Sequence, residues 1–285
     1  MNNLVKRTIS GVGFAAIMLA AFLTNKFVFG GVMLFALIMM MHEFLNMTCG
    51  KDYKYSQMLS ILSGVTLFVL VFLYKGFGFP GKLVILAFIP VFVLMINSLY
   101  VKDKSRFDKF ANLYTAILYI AVPWSMLNFA AFGPEHVFNG KLILCFFCII
   151  WGSDVGAYVF GMALGQKYGK KLFPSISPKK SWIGFWGGML TAVGVSVALF
   201  YAELFPLTSG TSLFSLVHCI AIAVLLDVAG VYGDLIESQW KRHYDVKDAG
   251  ALIPGHGGLL DRFDSALIAI PLGIIYLVAM DALAL

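Results

Sequence analysis

The sequence predicts an all-α, polytopic membrane protein, and three observations predict it. Of 285 residues, 60% are hydrophobic and only 13% are charged, and the mean hydropathy is +0.86. So little polar surface cannot cover a water-soluble globule of this length. The apolar residues also come in long runs. A hydrocarbon core about 30 Å thick needs roughly 20 apolar residues per helix, and that ruler finds about nine runs: 9–25, 28–47, 57–74, 82–100, 111–131, 140–162, 182–202, 212–236 and 264–284.

Taken in order, the first run follows Lys6 and Arg7 as a signal peptide would. No small-residue cleavage site follows it and eight further runs do, so it reads as a retained helix. The second ends on Met39, Met40, Met41, His42 and Glu43, and Glu43 is expected at the interface, with substrate contact the less favoured alternative. Runs three to five are joined by short loops, and the mixed-charge segment VKDKSRFDKF (101–110) is expected on the headgroup surface. Sorting the lysines and arginines by loop puts 17 of 21 on one side and leaves Lys26, Lys75, Lys82 and Lys141 on the other. By the positive-inside rule the N-terminus is then cytoplasmic and, with nine spans, the C-terminus is outside. The net charge of +6 therefore reports topology and gives no reason to expect a nucleic-acid partner.

Neither an internal repeat nor a low-complexity linker divides the chain, so residues 1–285 read as one integral-membrane domain. Within it, 1–140 would hold helices 1–5 as scaffold or dimerisation surface, and 141–285 would hold helices 6–9 with the chemistry. Cys145 and Cys148 form a CxxC inside LILCFFCII without a nearby histidine, and with Cys49 and Cys219 they are expected to be apolar packing residues. GQKYGKK (165–171) lacks the spacing and the Ser/Thr of a P-loop. Gly161, Gly165 and Gly169 instead suit close helix packing.

Polarity concentrates in the second half. An aspartate inside a bilayer costs roughly 2.5–3.5 kcal/mol even on the lenient insertion scale, so it must face water, a partner or a metal. Asp154 near the end of the sixth run and Asp227, Asp234 and Glu237 on the eighth meet that description. Positions 227, 234, 237, 238 and 241 fall on one broad helical stripe. Asp261 and Asp264, three apart, share a face at the start of the ninth, where the helix dipole favours anions. Clustered carboxylates repel unless something positive joins them, and an all-oxygen set points to Mg²⁺, with a second cation left open. Zinc has no His/Cys set here. Lys179, Lys180, Lys241, Arg242, Lys247 and Arg262 surround these acids in sequence. Acids for a divalent cation with bases around them is the arrangement that phosphoryl transfer requires. Gly255, Gly257 and Gly258 would let backbone approach a phosphate.

The segment ESQWKRHYDVKDAGALIPGHGGLLDRFDS (237–265) resembles the signature of the CDP-diacylglycerol synthases, also called phosphatidate cytidylyltransferases. That pattern is matched by Ser238, Lys241, Arg242, Lys247, Asp248, Gly250, Pro254, His256, Gly257, Gly258, Asp261, Arg262 and Asp264. GDLIES (233–238), SPKKSWIG (177–184) and SDVGAYVFG (153–161) extend the likeness upstream. Trp240 departs from the family's smaller aliphatic residue or Phe, and Ile183 stands where a Glu often follows the SPKK segment.

The resemblance implies the Mg²⁺-dependent reaction of CTP with phosphatidate to give CDP-diacylglycerol and pyrophosphate, at the cytoplasmic face of the cell membrane, by a homodimer. Joined to the residue reading, it makes Asp234 and Asp261 metal ligands. Asp264 and Glu237 would support that metal or bind a second cation. Lys241, Arg242, Lys247 and Arg262 would clamp phosphates, and His256 would either assist pyrophosphate departure or structure its loop. Ser177, Lys179 and Lys180 would cover the nucleotide, Asp154 would touch its base or ribose, and Ser238, Asp248, Gly257 and Gly258 complete the substrate-binding set. Two rivals stay open: a cytidylyltransferase for an isoprenoid-ether lipid phosphate, and, far less favoured, a cation or proton transporter.

Overall fold

The computed structural model describes residues 3–102, 106–205, 212–255, 257–281 and 283. The chain is helical nearly throughout. Its elements are α1 (Asn3–Leu23), α2 (Lys26–Cys49), α3 (Lys54–Phe77), α4 (Gly81–Tyr100), α5 (Phe107–Ala131), α6 (Lys141–Tyr168), a hairpin of β1 (Lys171–Phe173) and β2 (Ser177–Ser181), α7 (Trp182–Tyr201), α8 (Ser212–His243) and α9 (Leu260–Ala279). Among the described residues, eight helices are long and apolar enough to cross a membrane, and the apolar part of α1, Thr8–Leu23, is shorter. The chain is thus an all-α, multi-pass membrane protein.

Local chemistry sets the helix ends. Asn25 caps α2 by accepting from the amides of Phe27 (2.9 Å) and Val28 (3.1 Å). Gly78 stops α3 in the left-handed region at φ +71°, where a side chain would be strained. Two helices run past their expected ends. α8 continues from 236 to His243 because its polar last turns carry the i,i+4 ion pair Glu237–Lys241. α6 continues through a π-turn at Gly161–Gly165. A hairpin departs from the expected all-helical pattern: β1 and β2 pair antiparallel, Lys171 opposite Ser181 and Phe173 opposite Ser177.

Two compact units form. One comprises residues 1–138 with 243–263, the other 139–242 with 264–285. The core of the first centres on Trp124, which is fully buried, donates from Nε1 to the Met33 carbonyl (2.8 Å) and packs on Phe263 with ring centroids 4.7 Å apart. The loop after α8 belongs to this unit, anchored by Asn112 Nδ2 donating to Tyr244 Oη (2.9 Å) and Ser10 Oγ donating to the Pro254 carbonyl (3.0 Å).

In the second unit α6 and α7 meet along a glycine seam. A Cβ on Gly156 would collide with Thr191 Oγ1 and the Gly187 carbonyl, and one on Gly165 with Ser181 Oγ. One on Gly161 would lie 3.7 Å from Gly184 Cα. The expected role of the Gly161, Gly165 spacing, close helix approach, is what is seen. Gly156→Ala is therefore expected to cost about 1–3 kcal/mol, read as an earlier melting transition in detergent; unchanged melting would show that the seam can open freely. The four cysteines are unbridged, three of them buried.

Candidate active site

The second unit assembles most of the predicted polar residues. Asp234 of α8 accepts at Oδ1 from Ser238 Oγ (3.0 Å), one turn on, and pairs through Oδ2 with Lys180 Nζ at 2.8 Å. The hairpin makes that pair possible. Trp182 N donating to the Lys170 carbonyl (3.0 Å) closes its base, and Gln166 Nε2 donating to the Lys179 carbonyl (2.7 Å) ties β2 to the end of α6. Lys180 is thereby held at the start of α7, with Ser177 and Lys179 earlier on the same strand.

Asp264 opens the part of α9 that belongs to this unit. Its Oδ1 accepts from the Ser265 amide (2.6 Å), and it lies within the electrostatic field of Asp234, Asp154 and Lys241. Backbone closeness brings it there, since Gly233 leaves room for the Asp264 carbonyl and the Ser265 backbone where a side chain would clash. Glu237, 0% exposed, forms an ion pair with Lys241, and Arg242 ends the stripe exposed. Asp264 thus lies within electrostatic reach of Asp234, Asp154 and Lys241, while Asp234 is paired with Lys180.

These residues fit a divalent cation only in part by themselves. Among the described residues no three His, Cys, Asp or Glu side chains close into a metal-ligand set. Mg²⁺ is ordinarily bound by one or two carboxylates and completes its octahedron with water and substrate phosphates. Asp234, a third exposed, and its neighbour Asp264 suit that mode.

In the first unit, the loop 243–263 is organised around two carboxylates. Asp261 accepts from the amides of Ala249 (3.0 Å) and Gly258 (2.8 Å). Gly257 sits at φ +83°, and its Cβ position lies 2.8 Å from Asp261 Oδ2, so only glycine fits the turn. Asp261, which the sequence reading expects as a metal ligand, thus satisfies loop amides. Lys247, Asp248 and Arg262 are exposed around this loop, and His256 lies outside the described residues.

Glu43 is the second carboxylate and the one that sequence reading underrated. It is 5% exposed, nearly two turns before the end of α2, and accepts through Oε2 from the Leu260 amide (2.8 Å), at the first residue of α9. A Cβ on Gly250 or Gly258 would run into it. Its only signal in sequence is an acidic residue closing an apolar helix. Buried Asp227, on the same stripe as Asp234, bonds Ser153 Oγ of α6 through Oδ1.

Residues 5–280 match the cytidylyltransferase family. The phosphatidate cytidylyltransferase of Bacillus subtilis (strain 168) is 36% identical over 190 residues, 65% of each chain. That of Staphylococcus epidermidis (strain RP62A) is 31% identical over 245 residues, 85% of this chain and 87% of its own. That of Staphylococcus aureus (strain COL) is 33% identical over 230 residues, 81% and 82% of the two. With a match that spans nearly its whole length, the chain belongs to the cytidylyltransferase family.

Proposed function

We propose that this membrane protein is a nucleotidyltransferase that moves the cytidylyl group of CTP onto phosphatidate, giving CDP-diacylglycerol and pyrophosphate for phospholipid synthesis. The names of its bacterial relatives support the reaction. The observation that carries the residue assignment is the Lys180–Asp234 pair beside Asp264 and Asp154.

The lipid phosphate, a monoester with a second pKa near 6, is already largely dianionic at neutral pH, so attack needs no strong general base. Its oxygen bonds to the α-phosphorus of CTP as the bond from that phosphorus to the bridging oxygen breaks, and pyrophosphate leaves with the electron pair. Repulsion between anions is the main barrier, and the chain's part is to offset it and to align the attack. Lys180 and Lys241 receive phosphate oxygens, and their carboxylate partners hold them in place meanwhile. Asp234 and Asp264 would hold Mg²⁺, which supplies further neutralisation of phosphate charge. Asp154 touches the nucleoside. Asp261 fixes the loop that carries Gly257, Gly258, Lys247 and Arg262. The excess of lysine and arginine on one side supports a cytoplasmic site in the cell membrane, with the acyl chains left in the bilayer. A homodimer, implied by family resemblance, completes the proposal.

The test is purified protein in detergent with labelled CTP and phosphatidate. Labelled CDP-diacylglycerol is expected only when both substrates and Mg²⁺ are present, and a chelator should abolish it. Full turnover in the chelator would remove Mg²⁺ from the scheme. A preference for ether-linked isoprenoid lipid phosphate over phosphatidate would reassign the acceptor, and ion flux without CTP consumption would point to a transporter.

A further inference from the structure

Two loops of the first unit meet around a polar hollow that the chemistry above does not use. The start of α3 and the turn before it bring Lys51, Lys54 and Tyr55 to its wall, and the end of α4 with the segment beyond it brings Tyr100, Lys102 and Arg106. The hollow measures about 520 Å³, within the range of pockets that take small molecules. Ser56, 3% exposed, donates to Asn97 Oδ1 (2.6 Å), a bond that joins α3 to α4 within the wall.

The charge around this space is unbalanced. Four bases line it against one acid, Asp52, and that acid is already spent on Lys109 at 2.9 Å and Arg106 at 3.1 Å. Among the described residues no ion pair is made by Lys51, Lys54 or Lys102. Lysines on an ordinary surface splay apart into water, but here two separate loops turn them around one hollow. The field is strengthened by α3, which starts here and whose N-cap, Tyr53, lends no side-chain acceptor to the amides of the first turn. We propose that the hollow is a binding site for the phosphate headgroup of an anionic phospholipid, held by Lys51, Lys54, Lys102 and Arg106.

A lipid suits the place better than a soluble anion. The hollow lies where the apolar spans α3 and α4 meet their polar connections, which is the depth of headgroups, and the exposed Tyr55 and Tyr100 are residues that membrane interfaces favour. Phe92, Ile96 and Leu99, all exposed, form a stripe along α4 that runs up to Tyr100 and would receive acyl chains. Each Lys or Arg near a membrane surface adds to the attraction for anionic lipid. None of these residues belongs to the candidate active site, so the inference stands whether or not the proposed transfer does.

Native mass spectrometry of the full chain in neutral detergent, titrated with phosphatidylglycerol, phosphatidylcholine or inorganic phosphate, counts what the protein retains. Phosphatidylglycerol has no phosphate monoester and so is no acceptor in the proposed transfer. One added copy per chain should be retained at a concentration about tenfold below that needed for phosphatidylcholine, whose own cation opposes the bases. The double variant Lys51→Gln/Lys102→Gln changes two exposed side chains and is expected to weaken phosphatidylglycerol binding about tenfold or more. Lys82→Gln, exposed at the other end of α4, should bind as the wild type does. Equal retention of the two lipids would overturn the site. A preference kept in full by the double variant would overturn it in favour of a lipid bound elsewhere or, if that variant also changed its oligomeric state, of a contact between copies. Displacement of the lipid by inorganic phosphate at equal concentration would overturn it in favour of a soluble anion.

Discussion

Asp234→Asn is expected to lower kcat by about 10³-fold or more while leaving the protein folded. The carboxylate of Asp234 is a third exposed, at 34%, so it supports little of the core. The asparagine keeps the shape and an oxygen for Ser238 Oγ, which now lies 3.0 Å away. What it removes is the charge that pairs with Lys180 and that would face the metal. It also turns an amide toward an ammonium. Turnover with CTP and phosphatidate, read beside the melting temperature, separates chemistry from folding. Asp52→Asn is the matched control. Asp52 lies on the loop before α3, where Lys109 at 2.9 Å and Arg106 at 3.1 Å hold its carboxyl below the usual range, and it has no place in the reaction. If Asp234→Asn stayed within tenfold of the wild type, Asp234 would not be at the reacting centre.

Glu43→Ala is expected to destabilise the first unit by about 2–3 kcal/mol, a fall in melting temperature of roughly 5–10 °C. The Leu260 amide, now bonded at 2.8 Å, would become a buried donor without an acceptor, and a void would open beside Gly250 and Gly258. Asp261, one residue on, would then have to hold the loop amides of Ala249 and Gly258 from a helix start that is itself loose. Activity should therefore fall with stability. Glu43→Gln restores an acceptor of the same reach and should recover most of both. A Glu43→Ala protein that melts with the wild type would show that water replaces the carboxylate.

Much of this architecture was legible in sequence because the bilayer makes its demands along the chain. Each span has to be long and apolar, and each acid inside one stands out; hence the stripe of Asp234, Glu237 and Lys241 on α8 and the close approach of Gly161 were readable. The hairpin was not. KLF and SPKKS are too short and too polar to show strand alternation, and pairing between them follows from the ties to Gln166 and Lys170. Nor was the work of Glu43, since its partner amide lies 217 residues away and amides carry no sequence signature. Asp261 shows another side of the same limit. Its motif was unmistakable, but the loop amides it takes up are invisible until the chain is folded.

The bond from Leu260 to Glu43 has a consequence for the order in which the protein is made. A chain that emerges N-terminus first completes α2 early and α9 last. Until then the first unit lacks the loop 243–263 that belongs to it, and Glu43 waits as a carboxylate without the amide it will accept. Every helix of the second unit except α9 is synthesised during that wait. The earliest-made half of this protein is therefore the one finished last, and its maturation is tied to the arrival of the final span.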